Sequence, residues 1–204
     1  MTIRVALLDD HEAVRRAVRE LIALEGDLEV VAEAATCDEI LAAVDDLGPD
    51  VAICDLRLTH SSGIEACRRI RSSHPATHCL LLTAHASEEA LVASLLAGAS
   101  GYVVKQIRNS LLVESIRAVA SGKSLLDRAL VAAELARFGD GSAYRLGATE
   151  TAVVSLALAN RTNAEIAAAL GIDEVEIDRC VNVAFAQLWS VRDGSASAQG
   201  ATRR

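Results

Sequence analysis

Ile3-Arg4-Val5-Ala6-Leu7-Leu8-Asp9-Asp10 decides the fold, because a short apolar run stops on two adjacent acids. A continuous apolar run of this length reads as a strand buried on both faces. The pattern then repeats outward along the chain. Leu28–Ala34 is strand-like, Val51–Cys54 is a strand ending at Asp55, Cys79–Leu82 ends at Thr83, and Tyr102–Val104 ends at Lys105. Between them, helical spacing runs over Ala13–Glu25 before Gly26, Asp38–Leu47 before Gly48-Pro49, Gly63–Ser73, Glu88–Leu96 and Asn109–Ser121. Five strands alternating with five helices predict an α/β domain, a doubly wound five-stranded parallel sheet with helices on both faces. Ligands in such folds bind beyond the carboxyl ends of the strands. That rule selects Asp9, Asp10, Asp55, Thr83 and Lys105, all of which stand directly at predicted strand ends.

Composition bounds the rest. The 204 residues are 51% hydrophobic and 24% charged, which is globular composition, but only 2% are aromatic, so the core must be aliphatic. No apolar run approaches the roughly 20 residues that span a bilayer, and the opening residues run into acids where a signal peptide would have its cleavage site. A cytoplasmic protein without a membrane partner is expected. Cys37, Cys54, Cys67, Cys79 and Cys180 are odd in number and scattered, which fits reduced apolar residues better than disulfides or zinc. The formal net charge is −8, and residues 145–204 hold 6 Lys/Arg against 7 Asp/Glu. Charge alone therefore does not advertise nucleic-acid binding.

The strand-end set carries specific chemistry. Converging carboxylates repel one another, and a hard divalent cation held by Asp9 or Asp10, Asp55, a backbone carbonyl and waters resolves that conflict. Mg²⁺ keeps waters and suits bridging a carboxylate and a phosphoryl oxygen. Lys105 adds a positive charge and Thr83 a hydroxyl, so the set matches what phosphoryl transfer to a carboxylate needs. A single Asp after a strand is ordinarily a turn or cap residue. Four strands closing on acids, a hydroxyl and a lysine are much harder to obtain that way. His11 beside the acids reads as an exposed loop residue or a metal ligand, and Arg57 and His85 as flanking groups that tune the lifetime of an aspartyl phosphate.

Over residues 1–122 the chain resembles the receiver domain of two-component response regulators, with the flavodoxin-like fold. The resemblance implies that Asp9, Asp10 and Asp55 hold Mg²⁺ and that Asp55 is the phosphoacceptor. It further implies that Lys105 and Thr83 assist the transfer, and that Thr83 and Tyr102 (in Gly101-Tyr102-Val103-Val104-Lys105) are the switch residues. A sensor histidine kinase would be the phosphodonor. An ordinary half-buried aromatic is the other reading of Tyr102. Gly63 keeps its expected place. Thr59 stands where the family usually has Pro, so a looser loop after Asp55 is expected, with the chemistry intact.

After Gly122 the pattern changes. Residues 123–145 read as a linker containing a helical stretch within Ser124–Phe138, then Gly139-Asp140-Gly141-Ser142. Residues 146–192 read as a small all-α domain with helices over Thr149–Ala159, Asn163–Leu170 and Glu174–Leu188, capped at Thr149 and Asn163. Residues 193–204 read as a disordered tail. Leu146-Gly147-Ala148-Thr149-Glu150, Thr162-Asn163-Ala164-Glu165-Ile166-Ala167 and Leu170-Gly171-Ile172 resemble the LuxR/NarL-type helix-turn-helix domain. The resemblance makes Glu174–Leu188 the recognition helix, with Val175, Ile177, Val181, Ala184, Phe185 and Leu188 on its buried side and Trp189 a core or dimer contact. Asn163, Glu176, Asp178, Arg179 and Asn182 become the candidate DNA contacts. The family typically places Thr and Lys where Glu176 and Asp178 stand, and acids meet a polyanion with repulsion.

Two functions remain open. One is a response regulator, phosphorylated on Asp55, that regulates transcription on promoter DNA and forms a homodimer on phosphorylation. The other is a phosphorylation-controlled protein-interaction module, or heterodimer subunit, that does not bind DNA on its own. An enzyme is not expected: a haloacid-dehalogenase-like phosphohydrolase would carry an acid two residues after its nucleophile, where Arg57 stands.

Overall fold

The structure is a computed structural model that describes residues 2–84, 87–105, 109–126 and 146–199; for 88, 89, 109 and 188–199 it describes the backbone alone. Element order is β1 (Ile3–Leu8), α1 (Glu12–Ile22), β2 (Leu28–Ala34), α2 (Cys37–Leu47), β3 (Val51–Asp55), α3 (Gly63–Ser73), β4 (His78–Thr83), α4 (Glu88–Ala97), β5 (Gly101–Val104) and α5 (Asn109–Ala120). Three helices follow: α6 (Ala148–Leu158), α7 (Asn163–Leu170) and α8 (Glu174–Gln199). The sheet is parallel, as the alternation predicts, and its strand order is β2-β1-β3-β4-β5.

Strand periodicity divides the core in two. In β1, Val5 and Leu7 point to one face and Ala6 and Leu8 to the other. Val5, Leu7, Ile53, Leu80 and Val103 pack with Ile22 of α1 and with Leu112 and Ile116 of α5. Ala6, Leu8, Ala52, Cys54 and Leu81 pack with α2, α3 and α4, and that cluster continues without a break into Val153, Ala157, Ile166, Ile177 and Val181 of the C-terminal helices. The α3–α4 side of the sheet domain is thus covered by the second domain.

Several boundaries differ from the sequence reading. Helix α1 ends at Ile22 and not Glu25, because its last turn tightens into bonds from Leu24 N to Leu21 O and from Glu25 N to Ile22 O, leaving Leu24 exposed. Helix α6 is capped by Gly147, not Thr149. Helix α7 is capped by Thr162, not Asn163: the Thr162 hydroxyl accepts from Glu165 N while the Glu165 carboxylate accepts from Thr162 N. Val175 lies outside the core, 78% exposed on the first turn of α8, whereas Ile177, Val181 and Ala184 are buried as expected. Helix α8 continues through residues 193–199, where a disordered tail was expected, since Ala, Ser and Gln tolerate a helix that is already nucleated upstream. The linker helix, Gly139–Ser142 and His85 lie outside the described residues, and for Leu188 and Trp189 only the backbone is described.

Candidate functional site

Sheet order brings the strand-end residues together. The register Leu8↔Cys54 puts Asp9, one residue beyond β1, beside Asp55 at the end of β3, where the strand order reverses. Leu82 O accepts from Leu56 N and Thr83 O from Lys105 N (2.7 Å), so the ends of β3, β4 and β5 stay in line. Gly63 supports this corner from behind: a Cβ there would stand 2.2 Å from the carbonyl oxygen of Asp55, so only glycine lets α3 start so close to β3.

Asp9 and Asp55 are buried and both reach Lys105. Its Nζ lies 2.7 Å from Asp9 Oδ2 and 2.9 Å from Asp55 Oδ2. Burial pushes the Asp55 carboxyl above its ordinary range, opposed by Lys105 and helped by the nearby Asp9 charge. Burial works against the Lys105 charge, yet its hydrogen bonds to Asp9 and Asp55 outweigh it and hold the ammonium above its ordinary range. Asp9 Oδ1 also accepts from His11 N (2.9 Å), and its carbonyl accepts from Arg15 Nη1 (2.7 Å).

Asp10 is the acid Lys105 does not hold. Its Oδ2 accepts from Thr59 N (2.8 Å) and from the Thr59 hydroxyl, and these bonds pull its carboxyl below the ordinary range despite opposing burial. The other oxygen, Oδ1, is buried without a hydrogen-bond partner, with His11 Nδ1 2.7 Å away. Asp9, Asp10, His11 and Asp55 bring one ligand atom each within 4.8 Å of one another. An oxygen-rich set with one buried, unsatisfied carboxylate oxygen fits a hard divalent cation. The His11 imidazole is exposed.

The loop after Asp55 is tied at two points. Arg57 and Ser62 form an antiparallel bridge across it, and Thr59 ties it to Asp10. Thr83 is buried at the next strand end, and Tyr102 is half-buried against the α4 side of the core.

The candidate DNA contacts are split. Asn163 is 0% exposed: Oδ1 accepts from Arg68 Nε of α3 (2.6 Å), its side-chain amide donates to Asp178 Oδ1 (2.9 Å), and its backbone N donates to Ser72 Oγ (3.0 Å). Asn182 Oδ1 accepts from Ser62 Oγ (3.0 Å), the hydroxyl that also caps α3. Arg68 is 1% exposed and also donates to the carbonyls of Leu96 (2.6 Å) and Arg161 (3.2 Å). Only Glu176 and Arg179 of the set face outward, paired with each other at 2.6 Å, with Arg179 also 3.3 Å from Glu150. Sequence reading missed Arg68 and read Thr59 only as a departure from the family pattern, not as a partner of Asp10. Arg68 had a signal, standing one turn after Ile64 on the apolar side of α3.

A parallel sheet of this order, closing on three acids and a lysine and followed by Thr162-capped α7, a Gly171 turn and α8, defines a receiver-type signalling domain joined to a helix-turn-helix. The family model for the response regulator receiver domain matches residues 5–117, and the chain belongs to that family. It is 36% identical over 200 residues to the DNA-binding transcriptional activator DevR/DosR of Mycobacterium tuberculosis, covering 96% of this chain and 92% of that protein. Among solved structures it is similar to a LuxR-family two-component response regulator from Aurantimonas sp. SI85-9A1 (36% identity, TM-score 0.59, 67% of this chain and 97% of that one). RcsB from Salmonella enterica serovar Typhimurium, bound to the promoter P1flhDC in the presence of phosphomimetic BeF3⁻, matches over 92% of this chain and 93% of its own (25% identity, TM-score 0.57). Among the described residues no helix is long and apolar enough to cross a membrane.

Proposed function

We propose that this chain is a DNA-binding transcription regulator switched by phosphorylation of Asp55. The observation that carries the reading is Lys105 Nζ shared between Asp9 and Asp55, with the unsatisfied Asp10 oxygen beside them. A sensor histidine kinase is the phosphodonor. An Asp55 carboxylate oxygen forms the new bond to phosphorus as the bond from phosphorus to the kinase imidazole breaks. Asp9, Asp10 and Asp55 would hold Mg²⁺, which supplies charge neutralisation at the transferring phosphoryl oxygens. Lys105 is placed to leave its carboxylates for a phosphoryl oxygen. The Thr83 hydroxyl follows toward that group and Tyr102 turns inward, a population shift toward the active form.

The same reading makes the described arrangement a resting one. Asn163 and Asn182 meet α3 and its N-cap, and Asp178 is bonded to Asn163, so the three are withheld from DNA until the domains part. DNA-bound dimers in the cytoplasm are the active form. Acidic α8 favours a second reading, an interaction module that does not bind DNA on its own. A titration of labelled promoter DNA separates them: the first reading expects phosphate-dependent binding that weakens steeply with salt, the second none at any salt. The phosphoacceptor is tested with Asp55→Asn, which should take up no hydroxylamine-sensitive phosphate from acetyl phosphate and Mg²⁺, while wild type takes up one per chain.

A further inference from the structure

Thr59 replaces a residue type that offers neither an N–H nor a hydroxyl, and here it supplies both to one oxygen of Asp10. Lys105 neutralises Asp9 and Asp55 only, which leaves Asp10 as the acid that needs other donors. Its side chain is 17% exposed and sits at the rim, where an unanchored carboxylate would turn to water. Thr59 instead fixes the carboxylate by Oδ2 and leaves Oδ1 buried, unsatisfied and grouped with the other acids. A cation taking Oδ1 need not break either bond to Thr59.

We propose that Thr59 is a positioning residue for the metal: its amide and hydroxyl hold Asp10 ready, and so set the Mg²⁺ affinity of the pocket. The inference rests on the pocket reading given above and adds a residue outside the ligand set. It predicts a graded series. Thr59→Ser keeps both donors and should bind Mg²⁺ as wild type does. Thr59→Val keeps the amide alone and should bind more weakly. Thr59→Pro keeps neither and should bind about three- to tenfold more weakly, the scale of leaving one side chain free to be ordered on binding. Thr59 is exposed, so these substitutions leave the core intact.

Calorimetric titration of the full chain with MgCl₂ reads the affinity directly, with no phosphodonor present. Weakening in the order Ser, Val, Pro supports the proposal; equal or tighter binding by Thr59→Pro overturns it. Phosphate uptake from acetyl phosphate at varied Mg²⁺ gives the second readout. A raised half-saturating Mg²⁺ concentration with an unchanged plateau rate supports positioning, whereas a lowered plateau at unchanged half-saturation overturns it. If no variant and no wild type takes up phosphate while the calorimetric series holds, the phosphoacceptor assignment falls and the role of Thr59 stands.

Discussion

At Gly63 a single hydrogen atom keeps α3 clear of Asp55. The missing Cβ would overlap the Asp55 carbonyl at 2.2 Å and sit 2.9 Å from its carbonyl carbon, backbone atoms that have no rotamer to escape into. Gly63→Ala must therefore shift the start of α3 or the end of β3. Overpacking of this kind costs about 1–3 kcal/mol. An unfolding free energy lowered by that amount, read from the shift of the urea midpoint, together with slower phosphate uptake, is the expected outcome, and unchanged uptake would show that the corner yields without moving Asp55. The residue scale is also where sequence was most informative: Asp9, Asp10, Asp55, Thr83 and Lys105 each announced itself by closing a strand. Thr59 was legible only as a departure, because nothing in a one-dimensional pattern says which carboxylate a loop residue will reach across 49 positions.

Among elements, the contact between α3 and the α7–α8 pair decides what the second domain presents. Sequence placed α3, α7 and the start of α8, since their periodicity is local, but it ended α8 at Leu188 where the helix runs to Gln199. It missed the caps at Gly147 and Thr162, although Thr162-Asn163-Ala164-Glu165 is a capping box, because Asn163 is itself a good cap residue and only geometry shows it turned to Arg68. The docking of one domain on another was not legible, since the apolar sides of α3 and α4 serve equally to cover a sheet and to receive a partner. Asp178 shows a consequence of that docking. Burial raises its carboxyl to about 6, opposed by the Asn163 amide, with Glu65 adding repulsion and Arg68 and Arg69 opposing it. A released α8 would return it to the ordinary 3.8. The docked form binds the proton more tightly, so docking is favoured at low pH and loses support as pH rises from roughly 4 through 6. Small-angle scattering should show a larger radius of gyration at pH 7.5 than at pH 5.5 for the wild type. Asp178→Asn should stay compact at both.

For the whole molecule, Arg68 joins the two domains as a buried cation. Desolvation draws its guanidinium down to about 10, with Asp178 acting the other way and Arg71 adding repulsion. Its hydrogen bonds reach α4, the turn before α7, and Asn163 at once. Removing the guanidinium leaves the Asn163 amide oxygen and two carbonyls without their donor, at about 1–3 kcal/mol for a buried acceptor left unsatisfied. Most of that cost falls on the interface, so Arg68→Ala should open the molecule without phosphorylation. Without a phosphodonor, Arg68→Ala should bind promoter DNA at least severalfold more tightly than wild type in a fluorescence titration at fixed salt, as the competent fraction rises. Equal affinity would mean that domain parting does not limit binding.

Because Asn163 serves the receiver contact and is a candidate for the DNA contact, one side chain cannot satisfy both at the same time. Two mutually exclusive engagements of a single amide couple the sites, and thermodynamic linkage makes the coupling symmetric. Promoter DNA then acts as an effector of the acidic pocket at the far end of α3. At equilibrium, saturating DNA should raise the ratio of phosphorylated to unphosphorylated Asp55 by the same factor by which phosphorylation raises DNA affinity. Measuring phosphate occupancy at fixed acetyl phosphate, with and without duplex, checks that equality, and a factor of one on either side would uncouple the two ends of the molecule.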